Sequence, residues 1–324
     1  MPKRILSGVQ SSGKLHLGNY FGAIKQHIEL QEIPDTERFY FIADFHSLTT
    51  VQDPPRLRQL VTEAAVDYLA LGLDPQKSVF FRQSDVPEVQ ELSWLLACVT
   101  GVGLLERAHS YKDKVAKGID ASVGLFYYPV LMAADILIYK SHVVPVGKDQ
   151  IQHIEMTQDM AGFFNNRFKT NVFVRPEGKL SSTPKVPGTD GEKMSKSYGN
   201  TIDLQANEKE LKKVIMSIKT DSVPVEAPKD PDKDNIYALY ALMATPEEQS
   251  ALAQRYRAGG MGYGDAKKTL LEKTIAYFAA YREKRAQLMA KPDDVQDVLR
   301  EGAKKARAIA RQTLDEARQA CGLA

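Results

Sequence analysis

Arg4-Ile5-Leu6-Ser7-Gly8-Val9-Gln10-Ser11-Ser12-Gly13-Lys14-Leu15-His16-Leu17-Gly18-Asn19 reads as a strand that delivers a glycine loop to the start of a helix. That order gathers backbone N–H groups and the positive end of a helix dipole at one point, an arrangement suited to phosphate. The segment from Gly8 to Leu15 comes within one residue of the GxxxxGK-Ser/Thr loop of nucleotide hydrolases. That loop needs a hydroxyl after its lysine to hold magnesium, and Leu15 has none. A P-loop ATP hydrolase is therefore the runner-up for this segment.

Outward from it, short β-rich runs recur at Arg4 to Leu6, Phe39 to Ala43, Val79 to Phe81, Val143 to Val146 and Val172 to Val174. Longer helical patterns separate them, such as Arg56 to Leu71 after the Pro54-Pro55 stop, and this alternation predicts an α/β fold with a parallel sheet. From Lys179 to Asn200 the chain is rich in Ser, Pro, Gly and Lys, which predicts a long loop and a domain boundary. Asn207 and Glu210 then have capping-box spacing, and almost everything beyond is helical in pattern: Asn235 to Met243, Pro246 to Tyr256, Asp265 to Ala290 and Asp293 to Cys321.

Composition narrows the classes. A chain of 324 residues with 43% hydrophobic residues has material for a large core, and its length predicts about two or three domains. Net charge is +2, so contact with nucleic acid must come from a local patch. The two cysteines, Cys98 and Cys321, lack any metal or disulfide spacing, so neither zinc nor an iron-sulfur cluster is expected. No targeting segment is visible, and the longest apolar stretch, near Leu125 to Leu137, is broken by Pro129 and Asp135; a soluble, cytoplasmic protein is expected.

A second phosphate-gripping element is Lys193-Met194-Ser195-Lys196-Ser197, with Gly188, Gly191 and Gly199 around it. Two ammonium groups and two hydroxyls within five residues supply charge and donors on a backbone free to close over a ligand. The string resembles the KMSKS signature of class I aminoacyl-tRNA synthetases, and His16-Leu17-Gly18-Asn19 resembles their HIGH signature, with Asn19 in place of the second histidine.

The amino acid is indicated elsewhere. In Tyr128-Pro129-Val130-Leu131-Met132-Ala133-Ala134-Asp135 a carboxylate sits within an apolar helical run, where burial alone is costly. Met132 and Asp135 are three apart and share a face, so an apolar wall and one acceptor look into the same space. Indole, a large apolar ring with a single N–H, fits that space, although a tyrosine hydroxyl could also donate to Asp135. This segment, Pro145-Val146-Gly147-Lys148-Asp149-Gln150-Ile151-Gln152-His153-Ile154-Glu155 and the opening Ser7-Gly8-Val9-Gln10 are similar to tryptophanyl-tRNA synthetases, with tyrosyl-tRNA synthetase as the nearest alternative.

The resemblance implies a Rossmann-like catalytic domain over 1–188 with a dimerisation insertion and the signature loop over 189–201. It further implies a helical anticodon-binding domain over 202–292 and a last helix over 293–324 that packs back on the catalytic part. It assigns tryptophan to Leu6, Ser7, Gly8, His46, Tyr128, Met132, Asp135, Val144, Val146 and Gln150, with Leu6 standing where an aromatic is common and Phe45 replacing glutamine beside His46. It assigns ATP to Gln10, Ser11, Ser12, His16, Gly18, Asn19, Gly147, Asp149, Val186, Lys193, Met194, Ser195, Lys196 and Ser197. Catalysis is assigned to Lys193, Lys196, Gln10 and Lys114, the last from Tyr111-Lys112-Asp113-Lys114. The implied partners are L-tryptophan, ATP with Mg2+, tRNA(Trp) and a second copy of the chain. Asp149 and His153 lie one helical turn apart as metal ligands would, but no third ligand accompanies them. Lys304, Arg307, Arg311 and Arg318 form a stripe that could meet phosphates or pair with neighbours such as Asp315.

Overall fold

The computed structural model describes residues 2–11, 13–108, 122–147, 150–180 and 185–324. Five strands, β1 (Lys3–Val9), β2 (Thr36–Ile42), β3 (Val79–Arg82), β4 (Val143–Val146) and β5 (Glu177–Leu180), form one sheet in the order β3-β2-β1-β4-β5. Every pairing is parallel, and β1 matches β2 from Lys3 opposite Thr36 to Val9 opposite Ile42. The connections run outward from β1 to β2 and β3, then return to β4 on its other side. The topological switch therefore lies between β1 and β4, where open parallel sheets bind ligands beyond their carboxyl ends.

The alternation of side chains along a strand divides the core in two. Leu6, Phe39, Phe41, Phe81, Val144 and Val146 turn to one face, and Tyr40, Ile42 and Phe80 to the other. Numbering only the longer helices, the first face is covered by α2 (Glu88–Ala97), α3 (Val123–Leu137) and α4 (Ile151–Arg167). The second carries α1 (Pro54–Ala70) and shares one continuous core with the helices that follow the lysine loop. In α1 the prolines open the helix rather than precede it: Asp53 caps it by accepting the Arg56 N–H at 3.1 Å, and a first-turn proline forfeits no helical bond.

Val172 to Val174 is not a strand. Val172 and Phe173 are buried, but the Phe173 backbone bonds to the Asn165 side chain, N–H to Oδ1 at 3.2 Å and C=O from Nδ2 at 2.8 Å, so it leaves no ladder partner. The fifth strand is the mostly exposed Glu177–Leu180, whose polar composition hides it in the sequence.

Past the loop run α5 (Glu208–Met216), α6 (Asn235–Ala241), α7 (Pro246–Ala258), α8 (Tyr263–Tyr277), α9 (Ala279–Met289) and α10 (Pro292–Cys321). Reciprocal capping boxes, Asn207 with Glu210 and Thr245 with Glu248, start α5 and α7. The pattern from Asp265 to Ala290 is two helices rather than one. Phe278 leaves helical geometry at the break and seats its ring, 1% exposed, against Tyr20, Tyr277 and Tyr281.

Helix α10 turns back and crosses β3. Gly302 lies so close that a Cβ there would stand 1.8 Å from the Phe80 carbonyl oxygen. Backbone cannot yield as a flexible side chain would, so Gly302→Ala is expected to lift the helix off the strand and destabilise the fold by about 3 kcal/mol. Urea denaturation measures this, and an unchanged midpoint would contradict the close packing.

The same helix accounts for the basic stripe. Arg307 reaches Glu88 at 2.9 Å, Arg311 reaches it at 2.9 Å, and Arg318 faces Glu91 at 3.4 Å. Burial pushes the Glu88 carboxyl up, but hydrogen bonds from Arg307 and Arg311 outweigh it and hold Glu88 below the usual carboxylate range. These arginines tie α10 to α2, and Arg311 pairs with Glu88 instead of Asp315; Lys304 pairs with Glu301 one turn away. Among the described residues no helix is long and apolar enough to cross a membrane.

Candidate active site

A cavity of about 670 Å³ opens at the switch point, beyond the carboxyl ends of β1 and β4. Strand β1 supplies Leu6, Ser7 and Gly8 and then Gln10; β4 supplies Val144 and Val146; and α3 supplies Tyr128, Met132 and Asp135. His46, from the turn after β2, and Gln150, which precedes α4, complete the set assigned to the amino acid. Phe41, Ala43, Thr49, Ile136, Pro145 and His153 also line the cavity, and of these Phe41 and Thr49 lie outside every motif of the sequence.

At the cavity floor Asp135 is 3% exposed. His46 Nε2 lies 3.0 Å from its Oδ2, and Gln83 Nε2 donates to both oxygens at 2.9 and 2.8 Å. Burial pushes the carboxyl up, and the His46 and Gln83 contacts oppose it. Farther out, the Tyr128 hydroxyl bonds His153 Nε2, and burial raises that hydroxyl to about 12, so it stays protonated. His153 thus braces Tyr128, a use unlike the metal pairing its spacing with Asp149 suggested. Among the described residues no cluster of three metal-ligating side chains occurs.

The phosphate end is built by two loops zipped together by their backbones. Leu17 N–H donates to the Ile202 carbonyl at 3.0 Å and Leu204 N–H to the Leu15 carbonyl at 2.9 Å, with His16 and Asp203 bridged between them. The lysine loop itself is a tight turn, Met194 N–H bonding the Val186 carbonyl at 2.9 Å and Pro187 pairing with Lys193. Buried Met194 packs on Gly18, where a Cβ would stand 3.2 Å from the Met194 Cβ and 2.9 Å from His16 Nδ1, so only glycine fits.

Lys196 Nζ comes within 3.4 Å of the Cβ position on Gly13, which places the ammonium over the first loop. Burial lowers its proton affinity, partly offset by Asp203. His16 is lowered to about 4 by burial and then by Lys196, so at neutral pH it meets a ligand as a neutral imidazole. Its Nδ1 is buried without a partner among the described residues. Asn19 Oδ1 accepts the His16 N–H at 3.1 Å, which caps the helix. Ser195 is fixed by Asn200 at 2.8 Å and accepts from Ser197 N–H at 3.3 Å, while Lys193 and Ser197 are exposed.

Two assigned groups are placed differently from a free phosphate donor. The Ser11 hydroxyl is buried against Ser47 at 2.9 Å, and the Gln10 amide donates to the His46 carbonyl at 3.3 Å. Gly147 is exposed at the end of β4, where its carbonyl accepts the Gln150 N–H at 3.0 Å. Ser12, Lys114 and Asp149 lie outside the described residues.

The arrangement therefore joins an apolar slot with one buried acceptor to a cationic, donor-rich pair of loops, as suits bringing an amino acid against a nucleotide. Comparison with known proteins agrees. The family model described as "tRNA synthetases class I (W and Y)" matches residues 1–279. A tryptophan–tRNA ligase of Rhodopirellula baltica is 56% identical over 321 residues, covering 99% of each chain. One of Fusobacterium nucleatum is 55% identical over 322 residues, covering 99% of this chain and 98% of the relative. The solved tryptophanyl-tRNA synthetase of Campylobacter jejuni, complexed with ADP and tryptophan, superposes with a TM-score of 0.94 at 51% identity, covering 99% of this chain and 100% of that one. The chain belongs to the class I tRNA synthetases of the tryptophan and tyrosine family, among the tryptophan–tRNA ligases.

Proposed function

We propose that this chain activates L-tryptophan with ATP and transfers it to tRNA(Trp). The site calls for a ring with a hydrogen-bond donor through the buried Asp135 acceptor of its cavity, and the similarity to tryptophan–tRNA ligases over 99% of the chain supports tryptophan rather than tyrosine as that ring. In the first step a tryptophan carboxylate oxygen attacks the α-phosphorus of ATP. The bond to the bridging β-phosphate oxygen breaks, leaving tryptophanyl-adenylate and pyrophosphate. In the second, the 3′-terminal ribose hydroxyl of the tRNA attacks the activated carbonyl and AMP leaves.

Asp135 accepts the indole N–H, with Met132, Val144, Val146 and Leu6 against the ring and Ser7 and Gly8 along its edge. Tyr128 and Gln150 hold the ammonium group, beside His46. Asp149 and Gly147 take the ribose side of ATP, which enters with Mg2+ as its substrate complex, and Val186 and Met194 back the nucleotide. Lys193, Lys196 and Lys114 stabilise the triphosphate and the departing pyrophosphate, aided by Ser12, His16, Gly18, Asn19, Ser195 and Ser197, while Ser11 braces the loop through Ser47 and Gln10 joins them only by releasing the His46 carbonyl. Such chemistry rests on positioning and charge more than on a general base.

The helices after the lysine loop meet the anticodon, and the protein works in the cytoplasm as a homodimer. Trp94 on α2, Val102, and Val123 at the start of α3 are 66%, 61% and 82% exposed, apolar side chains that contact with a second copy would bury. Incubation with ATP, labelled tryptophan and tRNA(Trp) transcript tests the function: ester-linked tryptophan on the 3′ end is expected. Charging by tyrosine instead, or no charging at all, would overturn it.

A further inference from the structure

Gln83 lies in the single turn Gln83–Asp85 that follows β3, and it is 1% exposed. Its Oε1 accepts the Phe45 backbone N–H at 3.1 Å. A backbone N–H can only donate, so this bond fixes which end of the amide is oxygen, and the NH2 end must face the Asp135 carboxylate that it reaches at 2.9 and 2.8 Å. With His46 on Oδ2 from the cavity wall, Gln83 engages both Asp135 oxygens from behind the cavity. Donors arrayed on a carboxylate favour its ionised form, and an ionised carboxylate accepts hydrogen bonds but donates none.

We propose that Gln83 is a specificity-positioning residue, which holds Asp135 as an acceptor-only carboxylate. The site then takes a ring presenting an N–H and rejects a ring of the same shape presenting none. The inference rests on reading the cavity as the tryptophan site. It adds a residue that does not itself line the cavity and lies outside every motif in the chain.

The groups facing Asp135 are His46 from the turn after β2, Gln83 from the turn after β3, and Tyr139 just beyond α3, whose hydroxyl burial and Asp135 push well up; Glu88 on α2 acts on Tyr139 in turn. Without the Gln83 donors, burial is opposed by His46 alone, and the carboxyl keeps its proton to higher pH. Tryptophan recognition should then begin to fail at a higher pH as the medium is acidified.

The test compares tryptophan with benzothienylalanine, in which sulfur replaces the indole N–H, by ATP–pyrophosphate exchange. Gln83→Met keeps the length and removes the donors. It should raise the KM for tryptophan by about 10- to 100-fold, leave kcat within about threefold, and cut the preference for tryptophan by about tenfold. The KM for ATP should not move, which also reports an intact fold. Gln83→Glu retains an acceptor for Phe45 but reaches Asp135 favourably only when it carries a proton. Its KM for tryptophan should therefore fall as pH drops from about 8.5 to about 6, a trend the natural enzyme lacks. An unchanged preference in the Met variant, with a flat pH profile in the Glu variant, would reduce Gln83 to a space-filling residue. Absence of tryptophan-dependent exchange in the unaltered enzyme would instead overturn the assignment of the site.

Discussion

Lys196→Ala is expected to slow tryptophan-dependent ATP–pyrophosphate exchange by about 100- to 1,000-fold while changing the dissociation constant for tryptophan by less than about twofold. The ammonium stands over the first loop beside Gly13 and His16, at the opposite end of the site from Asp135. Because His16 is held neutral there, it gives a phosphate hydrogen bonds but no charge, and positive charge at this spot must come from the lysines. A charge aimed where the pyrophosphate separates acts in the transition state and leaves amino-acid binding alone. Lys196→Arg should recover only part of the loss, since a planar fork does not replace a compact ammonium. Lys193→Ala should follow the same pattern. Rapid-quench adenylate formation and equilibrium dialysis with tryptophan measure the two quantities, and equal losses in both would contradict this division of labour.

Asp135→Asn should raise the KM for tryptophan by about 100-fold or more and leave that for ATP nearly unchanged. The asparagine amide offers one oxygen to the Gln83 amide, the His46 ring and the incoming indole N–H, and its own NH2 opposes another donor. Buried donors left without acceptors cost about 1–3 kcal/mol, so thermal stability should fall as well. For the natural carboxyl the sign with pH follows from burial, which raises its proton affinity. As pH falls through that raised value the acceptor loses its charge, and the KM for tryptophan should climb on the acid side.

What the sequence discloses and what it hides divide along chemical lines. The strand, glycine loop and helix start are local, so the segment from Arg4 to Asn19 already carries the parallel fold and the phosphate end. Asp135 is legible because a carboxylate in an apolar run demands an explanation. Val172 to Val174 looks like a strand because apolar β-branched residues fill a core equally well without joining a ladder. The break at Phe278 is invisible because helical periodicity continues across it, and an aromatic cluster brought together from distant segments decides the matter. Arg307 and Glu88 are 219 positions apart, so the sequence shows a basic stripe but not the carboxylate that neutralises it. Gln83 and the pairing of His153 with Tyr128 escape for the same reason: a lone glutamine or histidine acquires meaning only from what the fold sets beside it.

The most direct measurement is ATP–pyrophosphate exchange with each amino acid in turn, run in parallel on the unaltered enzyme and on Asp135→Asn. Exchange that requires tryptophan in the first and is lost at the same tryptophan concentration in the second is the expected result. Exchange that proceeds without tryptophan, that tyrosine supports equally, or that survives the loss of the Asp135 carboxylate would contradict the account.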